Sequence, residues 1–362
     1  MKRLHFYENG YALLVGSLTL ALGGCGSAGN AGVSSDSGAS PDGASVNPTG
    51  HNDGGSGGVG DSSFADATSS SSSDASEAGT VEPPDTGASE AGPVEPPDTG
   101  TVSGPSYPYI FSCFDDDNTH LSDLMIYTSN DALNWTLLYD TGYLGPTGFM
   151  RDPSIMRYTD GKYYVAFTTP PTLSCCGDEQ SFSIGSSSNL KDWTTIATVP
   201  CGVAGTKNTW SPEWFVDTDG SVHITATLDL SIYHYEPTDA TLTKWGPPTA
   251  MGISGTLDAQ VLKIGSTYHM ILPNRHETAS SFDGPWTNDN SLLPPTCKEG
   301  PAMVHISGDT WRYYCDDGSN GHERSSLTTD LFQTWSSLDT LPVVGNNISQ
   351  GTVIRGDTGH PF

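Results

Sequence analysis

Arg151-Asp152-Pro153-Ser154-Ile155-Met156-Arg157-Tyr158, followed at once by Thr159-Asp160-Gly161-Lys162-Tyr163-Tyr164-Val165, is the stretch that decides the architecture. A short β-prone run with a carboxylate at its start, an Asp-Gly turn and an alternating aromatic and aliphatic run reads as a hairpin whose first strand delivers Asp152 to its mouth. The unit recurs. Ser211-Pro212-Glu213-Trp214-Phe215-Val216 leads through Asp219-Gly220 into Val222-His223-Ile224, and Leu257-Asp258-Ala259-Gln260-Val261-Leu262 leads through Gly265-Ser266 into Tyr268-His269-Met270. Glu299-Gly300-Pro301-Ala302-Met303-Val304 leads through Gly308-Asp309 into Trp311-Arg312-Tyr313. Four carboxylates therefore fall at similar points of four repeats.

A second repeat runs in phase with the first. Turns carrying Trp135, Trp193, Trp245, Trp286 and Trp335 follow one another at intervals of 41 to 58 residues. A period near fifty with several short strands in each is the mark of a radial propeller, and five tryptophans imply five blades. The expected fold is all-β: a five-bladed β-propeller around a central channel, preceded by a disordered linker. The run from Gln350 to Arg355 looks like an inner strand without its blade, and Tyr107 to Leu138 like a blade without its inner strand. Pairing the two would close the ring and remove two free edges.

Composition divides the 362 residues into three parts. In residues 1–24, Lys2 and Arg3 precede an apolar run from Tyr11 to Leu22, too short to span a bilayer, which reads as a signal peptide. Leu22-Gly23-Gly24-Cys25 resembles the lipobox of bacterial lipoproteins, which implies cleavage before Cys25 and its lipidation. Residues 25–104 form a Gly-, Ser-, Pro- and Asp-rich tether without Lys or Arg, whose 13-residue pattern from Ala75 to Gly87 repeats from Ala88 to Gly100. Such a segment cannot bury enough apolar surface to offset its chain entropy, so it is expected to be disordered and extended. Residues 105–362 are the propeller. The expected location is outside the cell or on the bacterial outer membrane, held to lipid only through Cys25, as a monomer.

The propeller segment carries 29 acidic against 12 basic residues, which argues against nucleic acid and anionic polysaccharide and leaves neutral glycans open. Six cysteines remain beyond Cys25: Cys113, Cys175, Cys176, Cys201, Cys297 and Cys315. In an oxidising compartment they suggest disulfides, with fifteen connectivities allowed. Cys201 is one candidate partner for the adjacent Cys175 and Cys176. Zinc is the competing reading, disfavoured because no short paired Cys or Cys/His spacing is present.

In a propeller the starts of the inner strands converge on one mouth, which would bring Asp152, Glu213, Asp258 and Glu299 together. Crowded carboxylates push their proton affinities apart, the condition for an acid and a base at one pH. Two carboxylates across a sugar ring suit glycosidic cleavage, one protonating the leaving oxygen and the other activating water. An isolated strand-end acid would more simply cap a turn; four in register favour a site.

The motifs Arg151-Asp152-Pro153-Ser154, Trp210-Ser211-Pro212-Glu213, Leu257-Asp258 and Glu299-Gly300-Pro301 resemble those of glycoside hydrolase family 43, in order and spacing across residues 105–362. The nearest look is to its exo-acting α-L-arabinofuranosidases. The resemblance implies a five-bladed propeller and an inverting mechanism, with Asp152 as general base, Asp258 as modulator of the acid's pKa, and Glu299 as general acid. Glu213 would be a fourth acid in the pocket wall. The implied partner is a plant cell-wall polysaccharide such as arabinan or arabinoxylan, and no cofactor is required. Family members often place a histidine at the last inner strand to hold a central ion. Gln350 stands there instead, which argues against a hub Ca²⁺, leaving amide oxygen and water as its alternative ligands. Trp210 and Phe149 are candidates to stack on sugar faces, and Arg151 to bind hydroxyls or pair with an acid. The repeated tryptophans read as blade packing. Other family 43 activities (endo-arabinanase, β-xylosidase, galactanase) and a non-catalytic glycan-binding propeller are the alternatives. Fructan-cleaving propellers fit less well, since their upstream Asn-Asp-Pro segment is missing.

Overall fold

The computed structural model describes residues 107–115, 123–172, 177–318, 323–342 and 348–362. The expected leader, Cys25, the tether, Cys175 and Cys176 lie outside these. Twenty strands follow in chain order. The first three are β1 (Tyr109–Asp115), β2 (Leu124–Ser129) and β3 (Thr136–Asp140). The second blade is β4 (Arg151–Arg157), β5 (Tyr163–Thr168), β6 (Ser181–Ser187) and β7 (Thr194–Pro200); the third is β8 (Thr209–Val216), β9 (Val222–Leu228), β10 (Ser231–Tyr235) and β11 (Thr249–Ser254). The fourth is β12 (Gln260–Ile264), β13 (Thr267–Leu272), β14 (Arg275–Ala279) and β15 (Thr287–Asn288). The fifth is β16 (Glu299–Ser307), β17 (Thr310–Asp316), β18 (Glu323–Thr328) and β19 (Asp339–Thr340). Last comes β20 (Ile348–Arg355), which pairs antiparallel with β1 and supplies the inner strand of the closing blade, β20-β1-β2-β3.

The result is a five-bladed β-propeller of four-stranded antiparallel sheets, closed by the two ends as the edge argument requires. The four quoted hairpins are all present. Gly161, Gly220, Gly265 and Gly308 in their turns have φ of 52° to 87°, a region open to glycine at little cost.

The tryptophan period records how the blades pack. Five apolar clusters hold the ring, and each contains one repeated tryptophan: Trp135, Trp193, Trp245, Trp286 and Trp335. Trp335 stacks on Phe332 at 5.9 Å and Trp135 lies 5.4 Å from Phe111, so these rings are blade cores and not ligand platforms. Among the described residues the structure contains the disulfide Cys297–Cys315, which ties the run before β16 to β17. Cys201 is a buried free thiol beside Gln180 and Val203, which corrects its candidacy as a disulfide partner.

Candidate active site at the propeller mouth

The inner strands β20, β4, β8, β12 and β16 touch in sequence around the axis. Each carries the same irregularity near its start. The residue there has positive φ: Asp152 (52°), Ser211 (45°), Asp258 (54°), Gly300 (62°) and Gln350 (30°). In four blades the pairing register slips across that residue, between Arg151 and Ser154, Trp210 and Glu213, Glu299 and Ala302, and, on the β1 side of β20, between Cys113 and Phe114. Such bulges interrupt side-chain alternation and re-aim residues at a strand's mouth. Four of the five are not glycine, and a left-handed non-glycine costs on the order of 1 kcal/mol or more, the kind of strain that collects at functional sites.

This shared bulge fixes where each acid sits. Asp152 occupies the bulge position itself and Asp258 the matching positive-φ position just before β12, while Glu299 precedes its bulge by one residue and Glu213 follows its own by two. The four carboxylates are therefore not equivalent, which corrects the sequence alignment that placed them in register. Ser211 holds the third blade's bulge position, and Glu213 lies one strand repeat, roughly 7 Å, further along β8. There it accepts hydrogen bonds from Ser154 Oγ (2.8 Å) and from Thr352 Oγ1 (2.8 and 2.9 Å), while Ser154 Oγ also takes the Trp214 N–H at 3.1 Å. Burial and the Asp152 charge raise the Glu213 carboxyl to about 7 despite those bonds.

Asp152, Asp258 and Glu299 share one electrostatic site. Asp258 is 4% exposed, takes the Gly300 N–H at 2.9 Å, and its own N–H bonds to Thr227 Oγ1 at 2.9 Å. Burial, then the Asp152 charge, push it well above the carboxylate range. Glu299 is raised to about 7 by burial, then by Asp316 and Asp152, with Lys298 and Arg151 opposing. Asp152 is raised by burial, but Thr168, Arg151 and the Ser211 backbone pull it back. Thr168 Oγ1 both donates to Asp152 Oδ2 (2.7 Å) and accepts the Ser211 N–H (2.8 Å), holding two bulges in one geometry. Of the three, Asp152 has the environment that best keeps a charge, and Asp258 the one that best keeps a proton.

Arg151 lies beside this group, its guanidinium over the Phe114 ring at 5.4 Å. Trp210 precedes the Ser211 bulge as Glu299 precedes Gly300; its indole N–H donates to the buried Glu179 at 3.3 Å. Phe149 is half-buried in the run before β4, its carbonyl accepting Thr147 Oγ1 at 3.2 Å. Thr168, Ser211, Glu179 and Asp316 were not singled out by the sequence. Ser211 could have been found by aligning it with Asp152 and Asp258; the others sit on second strands or loops, which the repeat does not mark.

Solved structures similar to this chain include glycoside hydrolases of family 43. An arabinoxylan arabinofuranohydrolase of that family from Bacillus subtilis, solved with cellotetraose, aligns at 14% identity and a TM-score of 0.47, over 67% of this chain and 64% of that one. A thermostable family 43 glycoside hydrolase aligns at 16% identity and 0.45, over 69% and 95%. An exo-β-1,3-galactanase from Phanerochaete chrysosporium, solved with β-1,3-galactotriose, aligns at 13% identity and 0.47, over 63% and 64%. The aligned region spans less than two thirds of the arabinofuranohydrolase and of the galactanase. No family model matches the sequence, and no curated protein does. The five-bladed assignment rests on the chain's own sheet order.

An ion on the propeller axis would need oxygen donors from the inner strands. Ser154 Oγ and Thr352 Oγ1 both donate to Glu213, so this carboxylate already accepts hydroxyls on both oxygens. Gln350 packs at the fifth bulge against Gly300. Calcium takes six to eight oxygens, so an ion on the axis would have to draw most of its ligands from water.

Proposed function

We propose that this chain is an inverting glycoside hydrolase of the family 43 kind that removes α-L-arabinofuranosyl residues from arabinan or arabinoxylan, exported and tethered by lipid at Cys25. The observation that carries the reading is the unequal treatment of three coupled carboxyls at one mouth, which an acid and base pair requires and a sugar-binding surface does not. Glu299, held protonated up to about pH 7, gives its proton to the leaving glycosidic oxygen. Asp152, half-buried and hydrogen-bonded by Thr168, takes the proton of the attacking water. Asp258, its proton affinity raised by burial, accepts the Gly300 N–H and so orients the start of β16, which carries Glu299. Arg151 and Trp210 flank the sugar.

Incubating the protein with arabinan, arabinoxylan, xylan and galactan and identifying the released sugar tests the substrate; release of xylose or galactose alone would assign another activity of the family. Glu299→Gln should abolish cleavage of a poor leaving group and spare an activated aryl glycoside, whereas Asp152→Asn should damage both, each by about 10²- to 10⁴-fold. The first product anomer seen by NMR should be opposite to the substrate's. Retention of configuration, or binding of glycan without turnover, would overturn the reading.

A further inference from the structure

On the third blade, away from the mouth, two histidines lie diagonally across a strand pair. His223 on β9 precedes Ile224, which faces Tyr235 on β10, and His234 faces Thr225, so the two imidazoles share one face with ring centres 5.8 Å apart. Both are more than nine-tenths buried, packed on the Phe282 ring of the next blade at 4.2 and 5.0 Å. Three of their four ring nitrogens, His223 Nδ1 and both of His234, are buried without a hydrogen-bond partner. Native structures rarely leave such atoms unsatisfied without an ion or water to account for them.

The surroundings point to a cation. Glu236, next after β10, brings Oε1 to 3.6 Å from His223 Nδ1, and Asp283 brings Oδ1 to 3.4 Å from His234 Nε2. His223 Nε2 lies 3.1 Å from Ser221 Oγ, a hydroxyl that can accept its proton. With the proton there, the Nδ1 lone pair faces a carboxylate. A metal-bound histidine ordinarily donates its other ring N–H to an outer acceptor, and Ser221 Oγ stands in that position for His223.

We propose that His223, His234 and Glu236 bind a divalent transition-metal ion of the zinc class, with Asp283 from the neighbouring blade as a fourth donor. One ligand atom from each of the first three residues lies within 4.8 Å of the others. Donors on a tetrahedral zinc with bonds of about 2.0–2.1 Å stand roughly 3.3 Å apart. The His223–Glu236 and His234–Asp283 pairs, at 3.6 and 3.4 Å, are already near that spacing, and the two carboxylates, whose side chains are 61% and 74% exposed, have room to turn toward an ion. Mixed nitrogen and oxygen donors favour zinc, copper or nickel over calcium or magnesium. Clefts of about 410 and 380 Å³ open on either side of Glu236 and admit the ion. Once bound, it joins the β9–β10 hairpin to the loop of the following blade.

The test uses the full chain, stripped with a chelator and titrated with ZnCl₂ by calorimetry and with CoCl₂ by visible absorption. Wild type should bind one more tight equivalent of Zn²⁺ than the His234→Gln/Glu236→Gln double variant, and Co²⁺ should give d–d bands that the double variant lacks. Zn²⁺ at about a hundredfold over its Kd should raise Tm by roughly 5–10 °C, while Mg²⁺ and Ca²⁺ leave it unmoved. Glu236→Gln changes only an exposed group, so it keeps the fold and should weaken Zn²⁺ at least tenfold. Equal stoichiometry and affinity in wild type and Glu236→Gln, or a Tm unmoved by Zn²⁺, would overturn the site.

Discussion

Glu299 on β16 lies directly across the ladder from Asp316 on β17, so strand pairing sets a second carboxyl against the proposed acid. Asp316 is itself opposite Glu323 on β18 and is bonded by Ser349 Oγ and the Gly318 N–H, both of which favour its charge. Its charge helps hold the proton on Glu299. Replacing Asp316 by Asn should let Glu299 ionise earlier, moving the alkaline limb of the kcat/KM profile below its wild-type position near pH 7 while the plateau changes less. A limb that stays in place or moves upward would show that Asp316 does not tune the acid.

Thr168 acts on the other side of the reaction. Thr168→Val preserves shape but removes the donor to Asp152 and the acceptor for the Ser211 N–H. Without that donor Asp152 should hold its proton to higher pH, so the acidic limb should rise. A hydrogen bond to a charged group is worth about 1.5–3 kcal/mol, which corresponds to roughly 10- to 100-fold in kcat/KM. Wild-type kinetics in the valine variant would remove Thr168 from the site.

Stability should fall as pH rises through the neutral range. Glu213 and Glu299 are raised from 4.5 to about 7, and Glu323 well above 4.5, chiefly by burial. Between pH 4.5 and 7 the folded chain holds these protons while the unfolded chain has released them, so each group lowers the unfolding free energy by up to about 1.4 kcal/mol per pH unit. Glu323 is 2% exposed and neither carboxylate oxygen has a hydrogen-bond partner. Glu323→Gln should flatten the decline measured by urea unfolding at a series of pH values; an unchanged slope would contradict this account.

Closure of the ring is tested by one methyl group. A Cβ on Gly351 of β20 would lie 1.8 Å from the Ser112 carbonyl oxygen of β1, and backbone at that point cannot give way without parting the strands. Gly351→Ala should therefore destabilise by more than about 3 kcal/mol, at the upper end of single substitutions, and lower Tm by roughly 6 °C or more. A variant that melts with wild type would mean the β1–β20 pair is dispensable.

The periodic parts of this protein were legible from its residues. Asp-Gly and Gly-Ser turns, alternating strands and one tryptophan per repeat are local signals, and each describes a single blade well enough to count the blades and pair the two ends. The residues quoted as Asp152, Asp258 and Glu299 do converge, because inner strands of a propeller must start at one mouth. Their inequivalence was decided only in three dimensions. A bulge shifts side-chain phase by one residue without leaving a fixed sequence mark, so Glu213 read as in register with the other three acids although it lies two positions past the bulge. Asp316, Thr168, the Cys297–Cys315 bridge and the histidine pair on the third blade depend on which residues of neighbouring strands and blades face one another. Register and inter-blade packing settle those pairings, because they follow from long-range burial of the tryptophan-centred cores and not from the order of residues within any one repeat.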